Sequence, residues 1–439
     1  MTQTSRQSAF LALRAIQKGA FADVALDKVL HQSNLSDRDR RLVTELVYGT
    51  IRRQRTLDTL IDQLATKKQP PPDLRIILNL GLYQLRYLSQ IPDSAAVNTT
   101  VELAKQNGFS GLAGFVNGIL RQSLRSETFK LPDDPLDRLG ILHSFPNWII
   151  QVWLDQFGIT ETEKLCEWMN QPPQIDLRIN TLKTTLDQVE AAMHAQNIEV
   201  TRIPHLPQAL RLPSSTGAIQ NLPGYSEGWW MVQDSSAQLV GYLVDPQPGE
   251  TVIDACAAPG GKTMHLAELM RDRGTVHALD RTPSRLKKLQ QNCDRLDLTT
   301  IKIATGDSRN LPQFKQTADR VLVDAPCSGL GTLNRHADAR WKQTPETVQD
   351  LAQLQAEILT EAATWVKPNG TIVYATCTLH PAENESIVQN FLTQNPNWRI
   401  DLPDASSPVA QFLNPQGWIK VLPHCHNMDG FFMVRLKHS

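Results

Sequence analysis

TVIDACAAPGGKT, residues 251–263, opens as a short β-rich run and closes on glycines, a lysine and a threonine that start a helix. Four more runs of the same kind follow: TVHALD (275–280), IKIAT (301–305), RVLVDAP (320–326) and TIVYATC (371–377). Helical patterns such as TPSRLKKLQQNCDRL and TVQDLAQLQAEILTEAATWV lie between most of them. Strands that alternate with helices predict an α/β fold with a doubly wound, mostly parallel sheet. FFMVRL (431–436) reads as its last strand.

Such sheets bind ligands beyond the carboxyl ends of their strands, near the point where strand order reverses. In DACAAPGGKT (254–263) small residues and glycines let the backbone come close to a ligand. Cys256, Ala257, Ala258, Pro259, Gly260, Gly261 and Lys262 make up this loop. Lys262 and Thr263 open a helix whose N-terminal amides suit a carboxylate. The G-x-G-x-x-G fingerprint is absent, and only the final GKT of the Walker sequence is present, so NAD and ATP are the poorer candidates. Asp280 ends the second run, 20 residues after Gly260, where an acid chelates ribose hydroxyls. Asp307, in TGDSRN after the third run, is placed to meet an adenine amine. Each acid alone also reads as a cap or turn former, and Asp307 reads equally well as a turn residue and as a ligand. The ordered set, on successive strand ends, favours a nucleoside-bearing cofactor.

The fourth run ends in DAPCSG (324–329) and the fifth in YATCTLHPAENE (374–385), which puts Cys327 and Cys377 at the same sheet edge. Two thiols there fit a covalent carbon methylation. Carbon 5 of cytosine is a weak nucleophile; a thiolate added to carbon 6 makes it enamine-like and able to take a methyl from a sulfonium. Loss of the carbon 5 proton and of the thiolate then restores the ring. An acid hydrogen-bonded to the ring nitrogen helps the electrons shift, and Asp324 is the candidate. An enzyme acting on an exocyclic amine would carry Asn/Asp-Pro-Pro-aromatic at the fourth strand, where this chain has Asp-Ala-Pro-Cys. Position alone places both thiols in one pocket and does not rank them. Cys166, Cys293 and Cys425 read as packing residues, and Cys256 as loop lining. The six cysteines include no CxxC pair, so neither a zinc site nor a disulfide framework is expected.

Upstream, residues 5–125 read as helical. Ala9, Leu13 and Ile16 keep helical spacing, Ser36 before Asp39 starts the run DRDRRLVTELVYGTIRRQRTLDTLI, and LRIILNLGLYQLRYL (74–88) is apolar enough for a bundle core. KKQPPPDL (67–74) is a breaker, and KLPDDPLDRLG (130–140) reads as a linker. Between them and the sheet, LRINTLK (177–183) and IEVTRI (198–203) read as strands and LDQVEAAMHAQ (186–196) as a helix, while GWWMVQDSSAQLVGYLV (228–244) reads as a strand entering a helix. The expected division is 1–130, 131–245 and 246–439. Net charge is -1, yet residues 1–130 hold 18 Lys+Arg against 11 Asp+Glu. A basic front suits phosphate, and equally a solvated helical surface. With 41% hydrophobic and 20% charged residues the chain builds folded cores. Its longest apolar stretches are strand-sized and MTQTSRQSAF lacks a leader's apolar run, so a cytoplasmic protein is expected, without a membrane partner.

DACAAPGGKT, the ALD ending at Asp280, the GD of 306–307, DAPCSG and the ATCT of 375–378 resemble, in order, the motifs of the Sun family of RNA cytosine-5 methyltransferases. The helical front resembles the NusB-type RNA-binding bundle through ELVYGTIRR (45–53), AAVNTTVELAK (95–105) and FVNGILR (115–121). The middle resembles the family's small RNA-recognition-like α+β subdomain through FPNW (145–148), LRIN (177–180) and VQDSSAQ (232–238). The resemblance implies a Rossmann-like class I methyltransferase sheet and S-adenosyl-L-methionine as cofactor, held by Cys256–Lys262, Asp280, Asp307 and Asp324. It implies small-subunit ribosomal RNA, in a single-stranded or loop region, as the partner rather than DNA. It also implies Cys377 as the nucleophile and Cys327 as the thiol that assists release. Arg38, Arg40, Arg41, Arg52, Arg53 and Arg178 are the expected RNA contacts. Two rivals differ in class. A DNA cytosine-5 methyltransferase would attack with Cys327, and a non-catalytic RNA-binding factor would need only the front.

Overall fold

A computed structural model describes residues 4–66, 69–125, 129–213 and 216–438; Lys67 and Lys68 of the expected breaker lie outside them. The chain forms two compact units, Met1–Gln171 with Leu333–Lys342, and Pro172–Thr332 with Gln343–Ser439. The first is helical. It contains Ser5–Gln17, Ala22–Gln32, Asp37–Arg52, Gln54–Leu64, Pro72–Tyr87, Asp93–Gln106 and Ala113–Arg125. Ser36 caps Asp37–Arg52 by accepting from the Asp39 amide at 3.2 Å. The run expected from that start is two helices, parted at Arg53, whose ψ of 13° leaves the α region. Leu46, Leu57, Ile61, Ile77 and Leu80 are fully buried and make the bundle core.

Two findings differ from the sequence reading. The stretch expected to be a linker contains the helix Pro135–His143, which Asp134 caps and Pro135 opens. The helix Asn147–Met169 follows it, broken at Gly158, so residues 131–171 belong to the helical unit. The segment Leu333–Lys342, late in the chain, also belongs there and is held by Arg340. That side chain is fully buried. It donates to the carbonyls of Arg52 and Ser144 at 3.1 Å and to Asn170 Oδ1 at 3.0 Å, and lies 4.1 Å from the Phe145 ring centre. A buried guanidinium is tolerated when its donors are spent this way.

The second unit has two sheets. Strands β1 (Ile175–Ile179), β2 (Thr201–Arg202), β3 (Ala209–Leu212) and β4 (Trp230–Val232) form an antiparallel sheet in the order β2-β3-β1-β4. The helix Leu186–His194, opened by a Thr185/Gln188 capping box, packs Val189 and Met193 with the buried Leu177, Ile179 and Trp230. Strands β5 (Thr251–Asp254), β6 (Thr275–Asp280), β7 (Ile301–Thr305), β8 (Ala318–Asp324), β9 (Val366–Thr376), β10 (Trp398–Ile400), β11 (Ile419–Val421) and β12 (Phe431–His438) form the larger sheet. Its order is β10-β12-β9-β8-β5-β6-β7, with β11 on β12. Strands β5 to β9 are parallel and β12 is antiparallel to β9. The chain runs outward from β5 through β6 and β7, then returns to β8 on the other side. The reversal lies between β5 and β8, where such sheets open a ligand crevice. Among the described residues no helix is long and apolar enough to cross a membrane.

Candidate active site

β5 delivers the buried Asp254 to the sheet edge, and the next helix, Gly261–Leu269, begins seven residues later. Gly260 has φ +107°, and a Cβ there would lie 2.9 Å from Leu289 and Met264 side chains, so the turn needs glycine. A Cβ on Gly261 would meet only Gln233, at 3.6 Å, which leaves the helix start open. Thr263 Oγ1 donates to Asp254 Oδ2 at 2.7 Å and ties the helix back to β5. Burial pushes the Asp254 carboxyl up to about 7, with the Thr263 hydrogen bond opposing it.

The expected acids fall along one edge. Asp280, at the end of β6, is nearly buried and accepts from the Thr282 amide at 2.8 Å. Arg285 pairs with it at 3.2 Å and donates to the Ala258 carbonyl at 2.6 Å, so one guanidinium joins the acid to the loop. Asp307, after β7, is exposed and paired with Arg309 at 2.7 Å; that hydrogen bond lowers its carboxyl to about 2. Asp324, at the end of β8, meets the Lys262 ammonium at 2.8 Å, and Lys262 lies 4.9 Å from the Phe431 ring centre. Burial lowers the Lys262 pKa, but Asp324 and Cys377 outweigh it and raise it overall.

The two thiols are brought together: Cys327 Sγ and Cys377 Sγ are 3.3 Å apart. The hydrogen bond shared with Cys377, and burial after it, push the Cys327 thiol well above its ordinary range. Their loops also join through the backbone. The Gly331 amide donates to the Cys377 carbonyl at 2.9 Å, and the Gly430 amide donates to the Gly331 carbonyl at 2.8 Å. A Cβ on Gly331 would lie 2.0 Å from the Gly430 oxygen, an approach only glycine allows. Burial pushes the Cys256 thiol up as well, in keeping with a lining role.

Other expected residues have partners of their own. Arg178 is fully buried. It pairs with the buried Glu268 at 2.8 and 2.9 Å, donates to the Gly261 carbonyl at 2.7 Å and also meets Gln233 Oε1. The RNA contact expected of it is corrected to an interior brace under the cofactor loop, because its donors face protein. Arg52 is likewise buried and donates to the Asn334 carbonyl at 3.1 Å, so it offers no exposed guanidinium. Arg38 and Arg41 are exposed, Arg40 is half-buried and bonded to the Leu30 carbonyl, and Arg53 lies over the Tyr87 ring at 4.9 Å.

Sequence reading missed the buried groups behind the thiols: Ser328, Gln355, Thr378, Glu383 and Asn384. HPAENE was in view beside Cys377, but its pattern does not tell which acid turns inward. Arg285, one turn into the helix after Asp280, was missed for the same reason.

Comparison with known proteins adds three matches to sequence families. A 16S rRNA methyltransferase RsmB/F family matches residues 241–437, the NusB family residues 3–125, and an RsmF/B-like ferredoxin-like domain residues 145–218. Over its whole length, 99% of this chain and all of the relative, the sequence is 50% identical to the "Probable ribosomal RNA small subunit methyltransferase B" of Synechocystis sp.. It is 34% identical to ribosomal RNA small subunit methyltransferase B of Klebsiella pneumoniae, over 97% of each chain. The solved structure of PH0851 overlays with a TM-score of 0.83 at 26% identity, covering 99% of both chains. With its three parts matched in order and its whole length shared, the chain belongs to the family of ribosomal RNA small subunit methyltransferase B.

Proposed function

We propose that the protein methylates carbon 5 of a cytosine in small-subunit ribosomal RNA, with S-adenosylmethionine as cofactor, Cys377 as nucleophile and Cys327 as the thiol that assists release. The observation that carries this reading is the 3.3 Å contact between the two sulfurs at the carboxyl edge of the sheet, beside the Lys262–Asp324 pair. An enzyme working on an exocyclic nitrogen has no use for a thiol pair.

The residues present fit the cofactor. The open helix start at Gly261 suits its carboxylate. Asp280 retains lone pairs for ribose hydroxyls, and Asp307 stands at the adjoining strand end. Cys256–Lys262 carry the chain from β5 into that helix start. When bound, S-adenosylmethionine supplies an electrophilic sulfonium methyl.

The chain's own groups do the rest. Cys377 Sγ bonds carbon 6, and the displaced π electrons run toward the ring nitrogen and raise the reactivity of carbon 5. The Lys262–Asp324 pair provides the hydrogen-bonding group that follows that charge. After methyl transfer, the carbon 5 proton passes to water, its bonding pair restores the ring double bond, and the carbon–sulfur pair returns to Cys377 Sγ. Cys327 Sγ lies against the departing sulfur, so its thiol can donate a hydrogen bond to the leaving thiolate. A base inside a stack cannot meet Cys377, so a single-stranded or flipped cytosine is the substrate. The helical front, with exposed Arg38 and Arg41 beside Arg40 and Arg53, holds flanking phosphate.

Incubation with S-adenosylmethionine and a small-subunit RNA fragment tests this. Cys377→Ala is expected to give neither covalent adduct nor product, and Cys327→Ala to accumulate the adduct. An adduct that survives in Cys377→Ala overturns the assignment.

A further inference from the structure

Behind the thiols sits a polar cluster that the proposed chemistry does not use. Glu383 is fully buried, and its Oε1 accepts from the Ser328 amide at 2.8 Å and from Gln355 Nε2 at 2.9 Å. Its Oε2 accepts from Ser328 Oγ. Gln355 Nε2 also donates to the Pro326 carbonyl at 2.9 Å. Pro326 and Ser328 are the two neighbours of Cys327, so both flanks of that thiol are tied to Glu383. The next residue, Asn384, treats the other thiol alike. Its Oδ1 accepts from Thr376 Oγ1 at 2.5 Å, and its Nδ2 donates to the Thr378 carbonyl at 2.9 Å. Thr376 and Thr378 flank Cys377. Ser328 Oγ and Thr378 Oγ1, 2.8 Å apart, close the circuit between the two loops.

None of these side chains is more than 2% exposed. A buried carboxylate with unmet lone pairs is costly, whereas one that collects three donors rigidifies its surroundings. The Tyr374 hydroxyl adds a bond to the Glu383 carbonyl, which fixes the dipeptide to β9 itself. Two adjacent residues on one short turn therefore index two loops that are 50 residues apart in sequence.

We propose that Glu383 and Asn384 are positioning residues that set the gap between the thiols, Glu383 acting through the Cys327 loop and Asn384 through the Cys377 loop. The inference rests on the roles given to Cys377 and Cys327 above. It makes the two variants fail at different steps. Glu383→Ala frees the Cys327 loop, so adduct forms and is slow to resolve. Asn384→Ala frees the Cys377 loop, so adduct is slow to form. A displacement of the order of 1 Å costs about 100-fold at such a site.

The test measures single-turnover adduct formation and adduct decay separately, on the full-length protein with a small-subunit RNA fragment and S-adenosylmethionine. Glu383→Ala is expected to slow decay by roughly 10- to 100-fold and formation by less than about threefold. Asn384→Ala is expected to show the reverse. Glu383→Gln should recover most of the decay rate, since its amide oxygen can keep the donors at Oε1 and its NH2 can donate to Ser328 Oγ. Ser328→Ala loses only the hydroxyl contacts; if Glu383→Ala does not fold, a decay defect in Ser328→Ala supports the proposal and a normal decay rate overturns it. Equal slowing of both steps in Glu383→Ala and Asn384→Ala, without rescue by glutamine, would mean that the cluster only holds the fold. A Cys377→Ala control that still traps RNA would overturn the reading of the thiols, and the positioning roles with it.

Discussion

Replacing Arg178 by alanine separates an interior brace from an RNA contact. The guanidinium and its partner Glu268 are 0% and 1% exposed, and the pair is bidentate. Removing Arg178 leaves a carboxylate in the interior and strips a donor from the Gly261 carbonyl and from Gln233. Breaking one side of a buried pair costs about 3–5 kcal/mol. For a unit of this size that lowers the melting temperature by roughly 6–20 °C. Burial already pushes the Glu268 carboxyl up, against the pull of Arg178, so the variant's Glu268 holds its proton to still higher pH than the unfolded chain does. Native protein then binds more protons than unfolded, and stability falls with rising pH. The deficit is therefore smallest below the ordinary glutamate value and grows toward neutrality. Exchanging both partners, as Arg178→Met with Glu268→Leu, should bring stability back to near wild type. The assay is thermal unfolding of wild type and the two variants at acid and neutral pH, beside RNA affinity across a salt series. The salt slope should match wild type. A melting temperature within about 2 °C of wild type, joined to a slope lowered by about one phosphate, would refute the brace and restore the RNA contact.

Three further outcomes follow from the geometry. Asp254, held near pH 7 by burial, binds its proton more tightly in the folded state, so stability falls as pH climbs from the usual aspartate range to about 7. Asp254→Asn should remove that slope, worth about 4 kcal/mol, in denaturant melts at either end of the window. Gly331→Ala drives a Cβ against the Gly430 carbonyl, and backbone cannot step aside cheaply. A loss of at least ~1–3 kcal/mol together with a fall in turnover is expected from melts and single-turnover rates. Reversing both exposed arginines, as Arg38→Glu with Arg41→Glu, should lower the RNA salt slope by about 1.4 without changing cofactor affinity.

The sequence exposed what is local and hid what is deep. The five parallel strands were readable as short β-rich runs, most of them parted by helical stretches, and both thiols followed from their places at strand ends. Strands β3, β10 and β11 were missed, since runs of four or three residues are too short to show a periodicity. Asp134-Pro135 reads equally as a breaker and as a cap with a proline at the first helical turn; packing chose the second. Charge misled where depth decides. Arg178 and Arg52 carry the same side chain as Arg38 and Arg41, but the partner that draws Arg178 inward lies 90 residues downstream. Glu383 was overlooked for the converse reason: its donors from Ser328 lie 55 residues earlier and the one from Gln355 28 residues earlier.

Arg340 has a consequence for how the protein is made. The helical unit occupies the front of the chain, yet its buried guanidinium arrives with residues 333–342. A ribosome that has finished Gln171 must add 171 more residues to reach Lys342. At about 5–20 residues per second this takes roughly 9–34 s. Throughout that interval the carbonyls of Arg52 and Ser144 and the Phe145 ring wait without the group that fills the space between them. The part synthesised first is thus completed only after the Cys327 loop has been synthesised.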